Sequence, residues 1–299
     1  MRIIAVTMMR DELDMVESFV RHTLAVADEL LVIDDASSDG TSEVLAALQA
    51  EGLPLRVRRE TGIGDRQEAL MQSLAREAAP RADWIVPLDA DELVPPQLRE
   101  ALMLEHAPVT LRWTTYVPHP SDDAQQLAPP RRLVHRLAEE ANPWAKVVFP
   151  GHLARTPGLL LAKGSHHLLV GGKMLPAPPL GLRLAHFPIR SPWQWARKVA
   201  VAGLQMHACP PVDPALSFHL KAAYSLLRSD TVRFLSEFRE SAMRYANYPG
   251  QAVPRAAVRD PWPVLGLACV HTLRFDDAAR ALRSVIGLAE QLAVRARAS

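Results

Sequence analysis

The sequence is short of cysteine, of net charge and of long apolar runs. Only Cys209 and Cys269 occur, far apart. That excludes a disulfide scaffold and any cysteine-rich metal site, and it suits a reducing compartment. Lys and Arg number 34 against 33 Asp and Glu, a formal net charge of +1. That balance supplies no basic stripe of the kind a nucleic-acid binder needs. No run of about 18 apolar residues occurs, so no membrane-spanning helix is expected. The N-terminus shows no signal-peptide pattern, because Met1-Arg2 leads into a short apolar stretch and then Arg10, Asp11 and Glu12. The expected location is cytoplasmic. Before Pro87 the only prolines are Pro54 and Pro80, although the 299 residues include 25, so the chain changes character there. With 48% hydrophobic residues it can bury a large core.

What is present first is an alternation of strand and helix. Ile3-Ile4-Ala5-Val6 and Leu30-Leu31-Val32-Ile33 are short apolar runs of the kind buried on both faces of a sheet. Between them, Asp11 to Ala27 places Val16, Phe19, Val20 and Leu24 on one helical face. The polar turn Asp34 to Thr41 opens a helix carrying Val44, Leu45 and Leu48. A third strand is expected over 53–57, a helix over 66–78 and a fourth strand over 84–88, with Pro87 tolerable near its end. This order implies an α/β fold with a mostly parallel sheet flanked by helices, which binds ligands beyond the carboxyl ends of its strands. Thr7 and Arg10, Asp34 and Asp35, and Asp89 and Asp91 collect at those ends.

Alternate residues of an extended segment point the same way, so Asp89 and Asp91 can reach one cation. A hard ion such as Mg²⁺ or Mn²⁺ takes oxygen ligands and keeps positions for substrate phosphates. The chemistry suggested is a metal bridging a nucleotide diphosphate and offsetting charge on the departing phosphate. The plainer alternative is a solvated turn that caps the next helix. Asp34 and Asp35 could accept hydrogen bonds from a base or ribose, while Ser37, Ser38 or Asp39 caps the helix.

Three segments, Ala5 to Glu12, Val32 to Thr41 and Asp83 to Glu92, resemble the sequence blocks of family 2 glycosyltransferases. More narrowly, they resemble a bacterial branch whose third block reads DWxxxLDADEF. The resemblance implies a GT-A fold, a nucleotide-sugar donor and Mn²⁺ or Mg²⁺. It places Thr7, Arg10 and Glu12 near the nucleotide, Asp34 at the base or ribose, and Asp65, Arg66 and Gln67 along the base pocket. It also places Asp89 at the ribose and diphosphate and Asp91 at the metal. Asp11 stands where the family more often has Asn, and Leu93 where Phe is common.

The second half resembles late blocks of the same branch, in Gly164-Ser165-His166-His167 and in His186-Phe187-Pro188-Ile189-Arg190-Ser191. GT-A enzymes often supply a late histidine to the metal, and here His186 is favoured over His167. Arg190 and Lys198 could neutralise the diphosphate; helix capping and solvation are the alternative. Inverting transfer needs a carboxylate base, and no acidic pair stands clearly for it. Glu139 and Glu140 are weak candidates, and Asp122 and Asp123 sit in a loop.

The expected division is a GT-A catalytic domain over 1–200 and a helical C-terminal extension over 201–299. In the extension Phe275, Ala279, Leu282, Ile286, Ala289 and Ala293 form one apolar face, with Asp276 and Asp277 near the helix start and Arg295 and Arg297 near its end. That face is expected to pack on the parent domain; a second subunit or a membrane surface are the alternatives, the last making the protein peripheral to the inner membrane. The functional expectation is transfer of a sugar from a nucleotide-diphosphate donor to an unidentified sugar, lipid-linked or protein acceptor, in bacterial surface polysaccharide or glycoconjugate assembly. A catalytically degenerate scaffold that binds nucleotide or a partner is the alternative. A sugar-phosphate nucleotidyltransferase would need a glycine-rich loop where Thr7-Met8-Met9-Arg10 stands, and a dinucleotide enzyme a third glycine where Gln67 stands.

Overall fold

The computed structural model describes residues 1–62, 64, 66–209, 218–245, 247–248, 250–253, 256–273 and 277–298. Its first part alternates as β1 (Ile3–Met9), α1 (Val16–Leu24), β2 (Glu29–Asp35), α2 (Thr41–Ala50), β3 (Leu55–Glu60), α3 (Gln67–Ala78) and β4 (Trp84–Asp89). Then follow β5 (Glu92–Leu93), α4 (Leu98–Leu102), β6 (Val109–Thr115), α5 (Pro129–Arg132), β7 (His135–Leu137) and β8 (Ala145–Pro150). The chain continues through β9 (Leu159–Leu161), β10 (Leu168–Val170), β11 (Lys173–Met174) and β12 (Pro179–His186). The remainder is α6 (Pro192–Ala208), α7 (Phe218–Ser229), α8 (Thr231–Ser236), α9 (Phe238–Met243), β13 (Ala257–Arg259) and α10 (Ala278–Ala298).

Eight strands form the main sheet, in the order β3-β2-β1-β4-β8-β6-β12-β5. The first four are parallel; β8 runs antiparallel to both β4 and β6, and β12 is parallel to β6. This mixed, mostly parallel sheet with flanking helices is the GT-A arrangement implied by the resemblance. Side-chain alternation explains its two cores. Ile3 and Ala5 of β1 join Phe19, Leu30, Val32 and Val86 on one face. Ile4 and Val6 join Leu31, Ile33, Leu70 and Ile85 on the other. A third cluster, including Trp195, Val199, Phe234 and Phe238, anchors the helices after β12.

Several expected elements shift. The first helix begins at Val16, not Asp11, because Asp11 has a φ of 58° and ties its loop to the β2–α2 turn. Its N–H donates to Ser37 Oγ at 2.8 Å, and its carboxylate accepts from the Ser38 N–H at 2.7 Å. β3 runs on to Glu60 as a charged edge strand, which suits an edge with one neighbour. Pro87 is accommodated because β8 pairs only with Trp84 and Ile85, leaving the rest of β4 with β1 alone. The expected boundary at residue 200 falls inside α6.

The C-terminal helix turns over the expected face. α10 buries Ala281, Ser284 and Leu288, while Leu282, Ile286 and Val294 are exposed. Small residues allow close approach there: a Cβ on Gly287 would stand 2.8 Å from Ser38 Oγ. Gln291 on the same side accepts from Arg10 Nη2 at 2.7 Å. The larger apolar side chains are therefore left outside. Phe275 and Asp276 lie outside the described residues.

Gly151 closes the end of β8, its N–H donating to the Asp83 carbonyl at 2.9 Å. A Cβ there would meet the Ala82 carbonyl oxygen at 2.1 Å, and backbone cannot step aside as a side chain can. Gly151→Ala is expected to cost about 1–3 kcal/mol, the usual range for overpacking. Urea unfolding measures it; an unchanged midpoint would refute the close approach.

Candidate active site

The sheet order reverses between β1 and β4, since the chain adds β2 and β3 on one side and β4 on the other. Such a switch point opens a crevice at the carboxyl ends of the strands. Met8 of β1 lies in register with Asp89, the last residue of β4. Asp91 follows in the turn before β5, which pairs antiparallel with the end of β12, Glu92 opposite His186. The Phe187 N–H donates to the Asp91 carbonyl at 2.8 Å. This clip leaves His186 Nε2 3.8 Å from Asp91 Oδ1.

Lysines from remote segments hold both carboxylates. Lys146 of β8 is fully buried, and its ammonium donates to Asp89 Oδ2 at 2.6 Å and to the Gly164 carbonyl at 2.8 Å. Gln67 Nε2 donates to Asp89 Oδ1 at 2.9 Å. Lys198 of α6 donates to Asp91 Oδ2 at 2.9 Å. Burial disfavours each ammonium, but Asp89 beside Lys146 and Asp91 beside Lys198 raise both pKa values. Burial likewise opposes the Asp91 charge, and Lys198 overrides it, holding the carboxyl well below the usual range. Glu92 is pushed up to about 8 by burial and stands mostly protonated at neutral pH. The His186 imidazole is lowered to about 4, first by burial, and is neutral. The centre thus consists of two adjacent ion pairs and a neutral imidazole.

A cleft of about 280 Å³ opens beside it, lined by Arg10, Arg66, Gln67, Lys163, Arg197 and Lys198 among others. Glu12 and Asp35 are the carboxylates of this lining, so cations predominate and phosphate is the favoured guest. Asp35 joins its two arginines, 3.5 Å from Arg10 Nη1 and 3.3 Å from Arg66 Nη1.

Other expected residues are placed differently. Asp34 is buried in the turn, accepting from the Ser37 N–H at 3.0 Å and from the Ser42 hydroxyl. Asp39 holds the start of α2 through the Thr41 N–H at 2.9 Å. Thr7 is buried in β1, its hydroxyl 3.3 Å from the Met8 carbonyl. Arg190 does not face the cleft: it is buried against Glu12 at 2.5 Å and Asp14 at 2.8 Å. Asp65 lies outside the described residues. His167 is exposed and lines a different cavity. Glu139 is exposed, whereas Glu140 accepts from the Thr115 N–H at 2.5 Å and its hydroxyl at 3.1 Å. Thr115 is the register partner of His186, and burial raises the Glu140 pKa. Among the described residues no cluster of three or more His, Cys, Asp or Glu could by itself hold a metal ion.

Lys146, Lys163 and Arg197 are absent from the sequence-based set. Lys146 had a signal: it is a lone lysine in the apolar strand Ala145–Pro150, where an unpaired ammonium would be costly.

Residues 4–108 match the family model described as Glycosyl transferase family 2. No curated protein matches the chain. Among solved structures, it is similar to S. aureus TarS 1-349 at 12% identity and a TM-score of 0.34, over 79% of this chain and 77% of that one. A second S. aureus TarS structure matches at 11% identity and a TM-score of 0.37, over 77% of this chain and 44% of that one. Mannosyltransferase PcManGT from Pyrobaculum calidifontis, in complex with GDP-Man and Mn²⁺, matches at 17% identity and a TM-score of 0.39, over 98% and 86%. The family match ends immediately before β6 and contains all three sequence blocks; it supports a glycosyltransferase.

Two measurements probe the centre. Lys146→Met leaves Asp89 without its ammonium and is expected to cost about 3 kcal/mol, the low end for a broken buried pair because Asp89 keeps some exposure. An unchanged denaturation midpoint would show that the pair is dispensable. His166 donates its Nδ1–H to the Ala145 carbonyl at 2.6 Å, and its pKa is lowered to about 4, by burial first and then by Lys146. The unfolded ring takes a proton near its ordinary 6.5, which the native ring refuses until about 4. Its stabilising contribution is therefore complete above pH 6.5 and is lost as pH falls through that window. An NMR titration should show a neutral His166 ring at pH 5.5; a midpoint above 6 would contradict the burial.

Proposed function

We propose that the chain is a glycosyltransferase that takes a sugar from a nucleotide-diphosphate donor bound at the β1–β4 switch point. The observation that carries this reading is the cationic cleft directly beside Asp91 and Lys198. The nucleoside diphosphate that departs gathers negative charge, and preformed cations at that position favour its departure. Lys198 and Arg197 serve the diphosphate, Arg66 and Gln67 border the nucleoside side, and Arg10 is fixed between Asp35 and Gln291.

A divalent ion fits one pair of groups. Asp91 Oδ1 and the neutral His186 Nε2 face each other across 3.8 Å, close enough that both would serve one ion. An imidazole beside a carboxylate suits Mn²⁺ better than Mg²⁺, which takes oxygen ligands, and Asp91 and His186 are the residues that would hold it. Once bound, the ion would offset charge on the leaving group as a Lewis acid. Asp89 has both oxygens engaged, by Gln67 and Lys146, and its part is to fix the turn. Glu140 is the one acidic candidate tied to the centre, through Thr115, but both its oxygens are engaged there by the Thr115 N–H and hydroxyl, so no base is assigned; direct attack by the acceptor hydroxyl would give inversion. The resemblance sets this chemistry in bacterial surface polysaccharide or glycoconjugate assembly on the cytoplasmic side. No helix among the described residues is long and apolar enough to cross a membrane.

A degenerate nucleotide-binding scaffold is the second reading, favoured by the engagement of both carboxylates with lysines. Thermal unfolding with UDP, GDP, ADP and dTDP, each with and without Mn²⁺, tests the first. A ligand at about 100 times its Kd adds about 2.7 kcal/mol. One diphosphate should raise the midpoint, the rise should need Mn²⁺, and Asp91→Asn should abolish it while remaining folded. No rise with any diphosphate would overturn the transferase; binding without hydrolysis or transfer of the matching nucleotide sugar would favour the scaffold.

A further inference from the structure

A column of rings leads away from the ion-pair centre, starting at His186. The His186 ring lies 4.1 Å from Trp113 at an interplanar angle of 31°. Trp113 is 5.5 Å from His166 and 6.2 Å from Trp144. Trp144 is in turn 5.1 Å from His166 and 6.0 Å from Tyr248. The column ends in a cavity of about 670 Å³, lined by Arg112, Trp144, His166, His167 and Tyr248 among others. This volume falls within the roughly 300–1,000 Å³ usual for small-molecule sites. None of the cleft-lining cations Arg10, Arg66, Lys163, Arg197 and Lys198 borders it.

The lining sorts among guests. Arg112 is its one strong cation, so a polyphosphate is poorly matched. A plain hydrocarbon would leave the polar groups unserved: the Nδ1 proton of His166 is committed to Ala145, which turns the other ring nitrogen into an acceptor. The aromatic faces carry partial negative charge and attract weakly positive C–H groups. A guest with an apolar C–H face and a rim of hydroxyls answers both demands.

We propose that this cavity is the acceptor subsite and takes an uncharged pyranoside, stacked on Trp144 and Tyr248 with its hydroxyl rim toward Arg112 and His166. Trp113, which touches both Trp144 and His186, stands between this guest and the centre, so the guest would be an acceptor sugar set back from the ring that reacts beside Asp91. This subsite rests on the transferase reading, so its test reads acceptor and donor separately.

The experiment is saturation-transfer NMR on the intact chain with the methyl α- and β-pyranosides of glucose, galactose, mannose and N-acetylglucosamine. Binding of the diphosphate selected by thermal unfolding is measured in parallel. At least one glycoside should receive saturation on the protons of one ring face. Trp144→Ala and Tyr248→Ala should each weaken it about ten-fold, the scale of a lost stacking partner, and leave diphosphate binding within two-fold. If a diphosphate binds and no glycoside does, the carbohydrate subsite is wrong and the transferase reading stands. Equal glycoside binding by both variants would also overturn it. If neither ligand binds, both readings fall.

Discussion

Two ion pairs join the halves of this molecule. Asp89 ends a strand of the parallel half and Asp91 stands in the turn after it, and the ammoniums that hold them come from β8 and from α6. A carboxylate at the buried end of an apolar strand is costly without a counter-charge. The lysines meet that need only if the later strands and α6 close against β4. The requirement runs both ways, since the fully buried Lys146 near the start of an apolar strand is equally untenable without Asp89. The electrostatics of the centre and the closure of the sheet are therefore one constraint.

That constraint also separates roles along the strand end. Asp89, engaged on both oxygens, is a structural hinge of the turn. Asp91 keeps one oxygen turned toward a neutral imidazole, the geometry on which its proposed role rests. A similar division operates around Arg190. Its charge is consumed inside the protein by Glu12 and Asp14, where it fixes the loop after β1, and burial alone would have disfavoured the charges of Arg190 and Asp14. Arg66 and Lys198 differ, since their partners leave them partly at the surface in the cleft beside α6.

The cleft and the aromatic cavity share no lining residue and differ in chemistry. One is cationic and the other aromatic with little charge. A charged donor and an uncharged acceptor would thereby be sorted before they meet. The helices after β12 contribute to both: α6 lines the cleft, and Tyr245 and Tyr248 reach the ring column.

Read from residues alone, the parallel half is nearly complete. Apolar runs such as Ile3-Ile4-Ala5-Val6 are strands wherever they fall, because burial on both faces demands them, and polar clusters end them at one edge. The carboxylates at the end of β4 were legible for the same reason. Their partners were not, since a lysine 57 or 107 residues away gives no local sign of which charge it will meet. The face of α10 differs from the expected one because periodicity ranks side chains by size and polarity, whereas the structure buries the small Ala281 and Ser284 and brings Gly287 close to Ser38. Local pattern thus determined which segments are strands and helices and where polar groups gather. Only the tertiary structure decided which charges neutralise each other, because that depends on distances between segments that the sequence does not hold together.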